Sequence, residues 1–170
     1  MPQGVEQVVV GSPAVGGIPH CAGKSGRPDQ SQRVVEHIAG PGSLCDERTS
    51  YHYLPATREV GPTPEVIPLI EGVLKVHDCR YVLGKTWTTD AFCRETPGMV
   101  KRRRDEGCPV VEMEASAMFA VAQYRGIQIG MLLGCDDDVS AEVWDARRDH
   151  PVLTANEKLF WLALEACAKL

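Results

Sequence analysis

At 170 residues the chain has the length of one domain, and its 44% apolar and 24% charged residues suit a soluble globular protein rather than a disordered or fibrous one. The formal net charge of -5 argues against a general nucleic-acid binder. No run approaches a membrane span, and Met1-Pro2-Gln3-Gly4 lacks the basic-then-apolar pattern of a secretion signal, so the expectation is a cytoplasmic protein. The seven cysteines are odd in number and scattered, with no Cys-x-x-Cys pair, and read as free, mostly buried thiols rather than a metal site or disulfide framework.

Residues 5 to 10 carry a β-branched run and predict a short strand that stops at Gly11-Ser12-Pro13-Ala14-Val15-Gly16-Gly17. A strand running into a Gly/Ser loop can aim backbone N–H groups at an anion; a plain turn is the simpler reading. Within residues 18 to 43, Cys21 to Gln32 is polar, with Gly, Ser and Pro and no period, and the segment is expected to be a loop. Gly23-Lys24-Ser25 is no phosphate loop, because the earlier glycine lies at the wrong spacing. Cys45 to Pro55 contains His52; histidine is the side chain suited to proton transfer at neutral pH, although a lone histidine is more often a structural hydrogen bonder.

Residues 64 to 76 predict a helix with apolar positions at 66, 69 or 70, and 73; Pro68 is tolerated in its first turn. Tyr81 to Asp90 predicts one strand rich in β-branched and aromatic residues, leading into Ala91-Phe92-Cys93. Residues 97 to 106 predict a helix ended by Gly107. Its run Lys101-Arg102-Arg103-Arg104, flanked by Asp105 and Glu106, reads as a solvated face.

Val110 to Ala122 is apolar enough to be buried, yet carries Glu112 and Glu114 around Met113. Buried carboxylates are costly unless paired or hydrogen-bonded. Either a distant Arg or Lys answers them, or a hydroxyl-rich ligand does, or an acidic residue at the helix start acts only as a cap and dipole partner. On the residues alone that last reading is slightly favoured. The helix runs to Arg125 and stops at Gly126. Ile127 to Gly134 is a continuous apolar run, as in a buried parallel strand. It ends in Asp136-Asp137-Asp138, where ligands of α/β sheets bind; the spacing is wrong for a calcium loop, and a capped turn is the simple alternative. After a polar loop, Pro151 opens a final amphipathic helix with Val152, Ala155, Leu159, Leu162, Ala163 and Ala166 on the face toward the sheet. Trp161 is expected partly exposed or at an oligomer interface.

Glu112-Met113-Glu114-Ala115, followed by a small-residue helix, resembles the Glu-Met-Glu-Ala signature of the nucleoside phosphorylase superfamily, which includes purine nucleoside and uridine phosphorylases and methylthioadenosine/adenosylhomocysteine nucleosidases. The resemblance implies an α/β fold, three-layer α/β/α around a mixed central sheet, in a single domain over residues 1–170. It implies that Met113 lies against the ribose and that Glu114 takes the ribose hydroxyls, with Glu112 in the same substrate-binding group. An ionised carboxylate accepts two charge-assisted hydrogen bonds from a vicinal diol.

Asp90-Ala91-Phe92-Cys93 resembles the family's Asp-x-Phe-Tyr, which makes Phe92 the aromatic that stacks on the base. The segment Cys45 to Pro55 resembles the family's stretch near the mouth of the site and brings in His52, with Cys45 and Arg48 where relatives have arginine and glycine. Gly11 and Ser12 match the family's phosphate loop, while Val9 and Val10 stand where phosphorylases tend to have arginine. The spacing from Glu114 matches the family's strand-end aspartate at Asp137, the general acid that protonates the leaving purine at N7, with Asp136 replacing a serine. Residues 93 to 111 contain no glutamine, and so lack the base reader of the uridine branch; this favours a purine.

The expected activity is therefore phosphate-dependent cleavage of a purine nucleoside's N-glycosidic bond, with nucleoside and phosphate as partners, no cofactor, no metal, no nucleic acid or membrane, and a homo-oligomeric state. The alternatives are a nucleosidase using water, toward which the absent arginines point, or a shortened relative that binds nucleosides without turnover. Family members are usually longer at the N-terminus, so the first strands are expected to be missing, as in a remnant, a fragment or a diverged short form.

Overall fold

A computed structural model of the chain describes residues 7–14, 16–17, 37–135 and 152–170, with side-chain surroundings for 40–134 and 157–170. The strands are β1 (Gln7–Ala14), β2 (Gly16–Gly17), β3 (His37–Ala39), β4 (Ser43–Asp46), β5 (Glu59–Val60), β6 (Tyr81–Val82), β7 (Thr86–Thr89), β8 (Val110–Glu112) and β9 (Gln128–Cys135). The helices are α1 (Val66–Val76), α2 (Pro97–Asp105), α3 (Ala115–Arg125) and α4 (Val152–Cys167). Four strands pair in the order β1-β9-β3-β6 and five in the order β2-β8-β7-β4-β5, with parallel and antiparallel neighbours in both, so the sheet layer is mixed.

Alternation along the strands sorts the core into layers. Val110, Met131 and Leu133 pack under α3 with Phe119, Ala115 and Ala122. Their neighbours point the other way: Leu132 joins α1 and α4, and Val111 joins Leu44, Trp87 and Val100 of α2. A residue and its successor on a strand face opposite sides, so helices are needed on both. All of Thr86–Thr89 is buried, as expected of a parallel strand covered on both faces.

The helices match the predicted segments closely. Pro97 occupies the first turn of α2, while Gly107 (φ 88°) follows α2 and Gly126 (φ 66°) follows α3; positive φ is easily reached only without a Cβ. Leu159, Leu162, Ala163 and Ala166 of α4 are buried as expected, and Trp161 is 58% exposed. No helix among the described residues is long and apolar enough to cross a membrane.

Four expectations are corrected. The strand expected to stop at Gly11 continues to Ala14, because β1 pairs with β9 along its whole length, from Gln7 opposite Gln128 to Ala14 opposite Cys135. Pro13 is accommodated because β1 is an edge strand. Within the segment 18–43, residues 37–39 are strand and Ser43 opens β4; residues 18–36 lie outside the described residues. The strand expected over 81–90 is two strands in different sheets, β6 beside β3 and β7 beside β4. Gly84 lies between them, where a Cβ would meet Pro109 Cγ at 2.4 Å. Finally, the basic run is not wholly solvated: Arg103 is buried, with its guanidinium 5.4 Å from the Trp87 ring centroid. It donates to Asp46 Oδ2 and to Glu106 Oε2, each at 2.8 Å.

The cysteine reading holds in part. Cys108 is buried, Cys45 and Cys79 are half-buried and Cys93 is exposed. Burial pushes the Cys108 thiol up to about 11, so it stays protonated and inert.

Gly130 of β9 faces α1, and a Cβ there would lie 2.5 Å from Val66 Cγ1 and 2.7 Å from Ile70 Cδ1. Gly130→Ala is expected to destabilise the protein by about 1–3 kcal/mol through overpacking, read from the midpoint of denaturant unfolding. An unchanged midpoint would mean that α1 is free to shift outward.

Candidate functional site

β4, β7 and β8 are mutually parallel, with Cys45 opposite Thr88 and Thr88 opposite Glu112. Their C-terminal ends therefore lie along one edge, where ligands of α/β sheets bind. Three loops leave that edge. After β4 comes the 3-10 turn Ser50–His52, after β7 the 3-10 turn Phe92–Arg94, and after β8 the Met113-Glu114 step into α3. These loops carry His52, Phe92 and Met113-Glu114, so the fold delivers the expected substrate-binding residues from adjacent strands. His52 and Glu114 are exposed, Met113 is half-buried and Phe92 is 60% exposed.

The two glutamates of the motif have opposite environments. Glu112 is fully buried. Its Oε1 accepts the Thr88 hydroxyl at 2.5 Å, and its Oε2 accepts the backbone N–H of Glu114 at 2.7 Å and of Ala115 at 2.5 Å. Those two N–H groups belong to the helix start and have no intrahelical partner, so the carboxylate caps α3. Burial raises the Glu112 pKa, and the bonds from Thr88, Ala115 and Glu114 offset this only in part. Neither a distant cation nor a ligand is needed to answer this charge; hydroxyl and backbone donors do so.

Glu114 sits at the N-cap position of α3 with φ -127°. Its carboxylate makes a long contact, 3.3 Å, with the Met113 N–H and is otherwise open on the exposed side of the step. A negative charge there is favoured by the helix dipole. Glu112 thus fixes the backbone that presents Glu114, and Glu114 presents an exposed carboxylate with that one long contact.

Gly11 and Ser12 lie within β1, opposite Leu132 and Leu133, rather than in a loop. Asp136 and Asp137 lie outside the described residues, immediately beyond the end of β9 at Cys135.

Sequence reasoning assigned no role to the polar residues beneath these loops. Thr88 Oγ1 bonds to Ser43 Oγ at 2.5 Å and accepts the Ser116 N–H at 3.0 Å, besides donating to Glu112. Asp46 holds Trp87 Nε1 at 3.0 Å as well as Arg103. The signal available for Thr88 was its place in a threonine-rich strand two residues before the candidate Asp90-Ala91-Phe92. Nothing in its neighbours in sequence points to Glu112.

Comparison with known proteins gives the following likenesses. A guanosine phosphorylase from Halorubrum lacusprofundi is 24% identical over 119 residues, 70% of this chain and 49% of that protein. In fold, the chain is similar to the purine nucleoside phosphorylase of Toxoplasma gondii solved in complex with immucillin-H, with a TM-score of 0.74 at 19% identity over 96% of this chain and 63% of that one. It is similar also to AMP nucleosidase from Bacteroides thetaiotaomicron, with a TM-score of 0.70 at 19% identity over 96% of this chain and 60% of that one. The chain spans about half the length of the curated relative it matches. A model of the phosphorylase superfamily matches residues 19–167, from the segment ahead of β3 to the end of α4, and on that match the chain belongs to the phosphorylase superfamily.

Proposed function

We propose that the protein cleaves the N-glycosidic bond of a purine nucleoside with phosphate. The observation that carries this reading is the division of labour at the Glu112-Met113-Glu114 step, where a buried carboxylate fixes the backbone and an exposed one is left free at a helix N-terminus. A free carboxylate in that position suits a vicinal diol, and the half-buried Met113 beside it offers an apolar wall for the ribose ring. Phe92, exposed on the neighbouring loop, is the group to stack on the base, a contact worth about 1–3 kcal/mol. Glu112 is on this reading a positioning residue rather than a direct substrate contact.

In the reaction a phosphate oxygen forms a bond to ribose C1′ while the C1′–N9 bond breaks, and the electron pair leaves with the purine. The sugar passes through oxocarbenium character, as in glycoside hydrolysis. Asp137 supplies a proton to N7 of the departing base, so that the base leaves neutral. On this reading the protein works in the cytoplasm as a homo-oligomer, without cofactor or metal, phosphate being the co-substrate.

The test is release of free base from inosine, guanosine, adenosine and methylthioadenosine, with and without phosphate. Phosphate-dependent release with formation of ribose 1-phosphate is expected, and Asp137→Asn is expected to slow it by about 10²–10⁴-fold, the usual range for a general acid. Release independent of phosphate would replace this reading by hydrolysis. No release from folded protein would overturn it.

A further inference from the structure

A second carboxylate is buried under the same loops. Glu47 follows β4 and is only 6% exposed. Its Oε2 accepts the backbone N–H of Thr49 at 2.6 Å and of Ser50 at 3.2 Å, and its Oε1 accepts the Ser116 hydroxyl at 2.7 Å. A carboxylate that collects N–H groups at the start of a helical turn satisfies donors the turn itself leaves without partners. Glu47 therefore caps the Ser50–His52 turn. Ser116 lies in the first turn of α3, and its own N–H goes to Thr88 Oγ1, which donates to Glu112. One hydrogen-bonded chain runs from the His52 turn through Glu47, Ser116, Thr88 and Glu112 to the helix start where Glu114 stands.

We infer that Glu47 is a positioning residue which, through Ser116, locks the His52 turn to the α3 N-terminus, so that His52 and Glu114 meet a ligand as one rigid unit. Only its effect on nucleoside binding rests on the function proposed above; the mechanical coupling does not. A buried network of this kind is rigid only when every member is satisfied, and here both Glu47 oxygens are occupied. Burial would raise the Glu47 pKa, but the Ser50 and Ser116 hydroxyls and the backbone N–H groups of Ser50 and Thr49 outweigh it and hold it below the ordinary carboxylate value. The Ser50 hydroxyl acts by proximity, for it is buried without a directed hydrogen bond of its own.

The experiment compares the intact wild-type protein with Glu47→Gln, Ser116→Ala and the double variant by amide hydrogen exchange and by base-release kinetics. Residues 49–54 are expected to exchange about tenfold faster in each single variant, with α1 and α4 unchanged and the double variant no faster than the singles. KM for the nucleoside is expected to rise about tenfold with kcat within about twofold and KM for phosphate unchanged. Simple destabilisation would instead lower kcat by removing active protein. Unchanged exchange at 49–54, or additive effects in the double variant, would overturn the coupling. An active wild type whose variants keep their nucleoside KM would overturn its role in binding. If the wild type releases no base, the proposed function fails while the exchange data still decide the coupling. If Glu47→Gln does not fold, Ser116→Ala, which removes a single hydroxyl, carries the comparison.

Discussion

Glu112→Ala is expected to destabilise the protein by about 3–5 kcal/mol, whereas Glu112→Gln costs about 1 kcal/mol or less at neutral pH. The alanine leaves the Thr88 hydroxyl and the N–H groups of Glu114 and Ala115 without an acceptor in a fully buried place, and opens a cavity beside them. The glutamine keeps the volume and an acceptor for the two N–H groups. Its amide donates to Thr88, whose hydroxyl turns to Ser43. It also removes a charge that burial disfavours.

The pH dependence separates these terms. Because the folded-state pKa of Glu112 is raised, the native protein binds this proton more tightly than the unfolded chain does. Its stabilisation is fully present below the ordinary carboxylate value and is lost as pH rises through the raised value. The wild type should therefore gain stability relative to Glu112→Gln on acidification through that window. Glu47, lowered, has the opposite sign, losing its contribution as pH falls through its folded value, but it is common to both proteins and cancels in the difference. Paired thermal unfolding of the two proteins across the acid range reads the effect. A difference that stays flat with pH would mean that Glu112 titrates normally.

Glu114→Ala is expected to slow base release from a ribonucleoside by about 10²–10⁴-fold in kcat/KM while leaving the melting temperature nearly unchanged. The loss is that of two hydrogen bonds to a charged acceptor, about 1.5–3 kcal/mol each, with each 1.36 kcal/mol worth tenfold. Stability is spared because the side chain is exposed and makes one long contact, at 3.3 Å. The diol assignment has its own control. With a dideoxynucleoside, which lacks both hydroxyls, wild type and variant should converge. An undiminished gap between them on that substrate would move Glu114 from sugar binding to some other role. Together the two substitutions separate neighbours that look alike in sequence, Glu112→Ala being expected to act chiefly on stability and Glu114→Ala chiefly on base release.

Much of the architecture was legible locally. α1, α2 and α3 were readable because apolar spacing, Pro97 at a first turn and Gly107 and Gly126 at the stops act within a few residues of the backbone they control. β9 was readable because a continuous apolar run is buried on both faces. The Glu-Met-Glu-Ala step was legible as a motif, and with it the family.

The rest needed partners distant in sequence. β6 and β7 are separate because one pairs with β3 and the other with β4, and β1 runs through Gly11 because β9 pairs with it to the end. Arg103, in the middle of a basic run, is drawn inward by Asp46, 57 residues away, and by Trp87. By itself the sequence determined the helices and the apolar strand β9, and that a carboxylate pair with a methionine between them stands at a helix start. Only the tertiary structure decided which carboxylate is which. Thr88, 24 residues earlier, meets Glu112 across a parallel ladder in the core, while the chain turns into α3 and leaves Glu114 in solvent. Local preferences shape the backbone, but whether a charge is buried and answered depends on strands that meet only when the sheet forms.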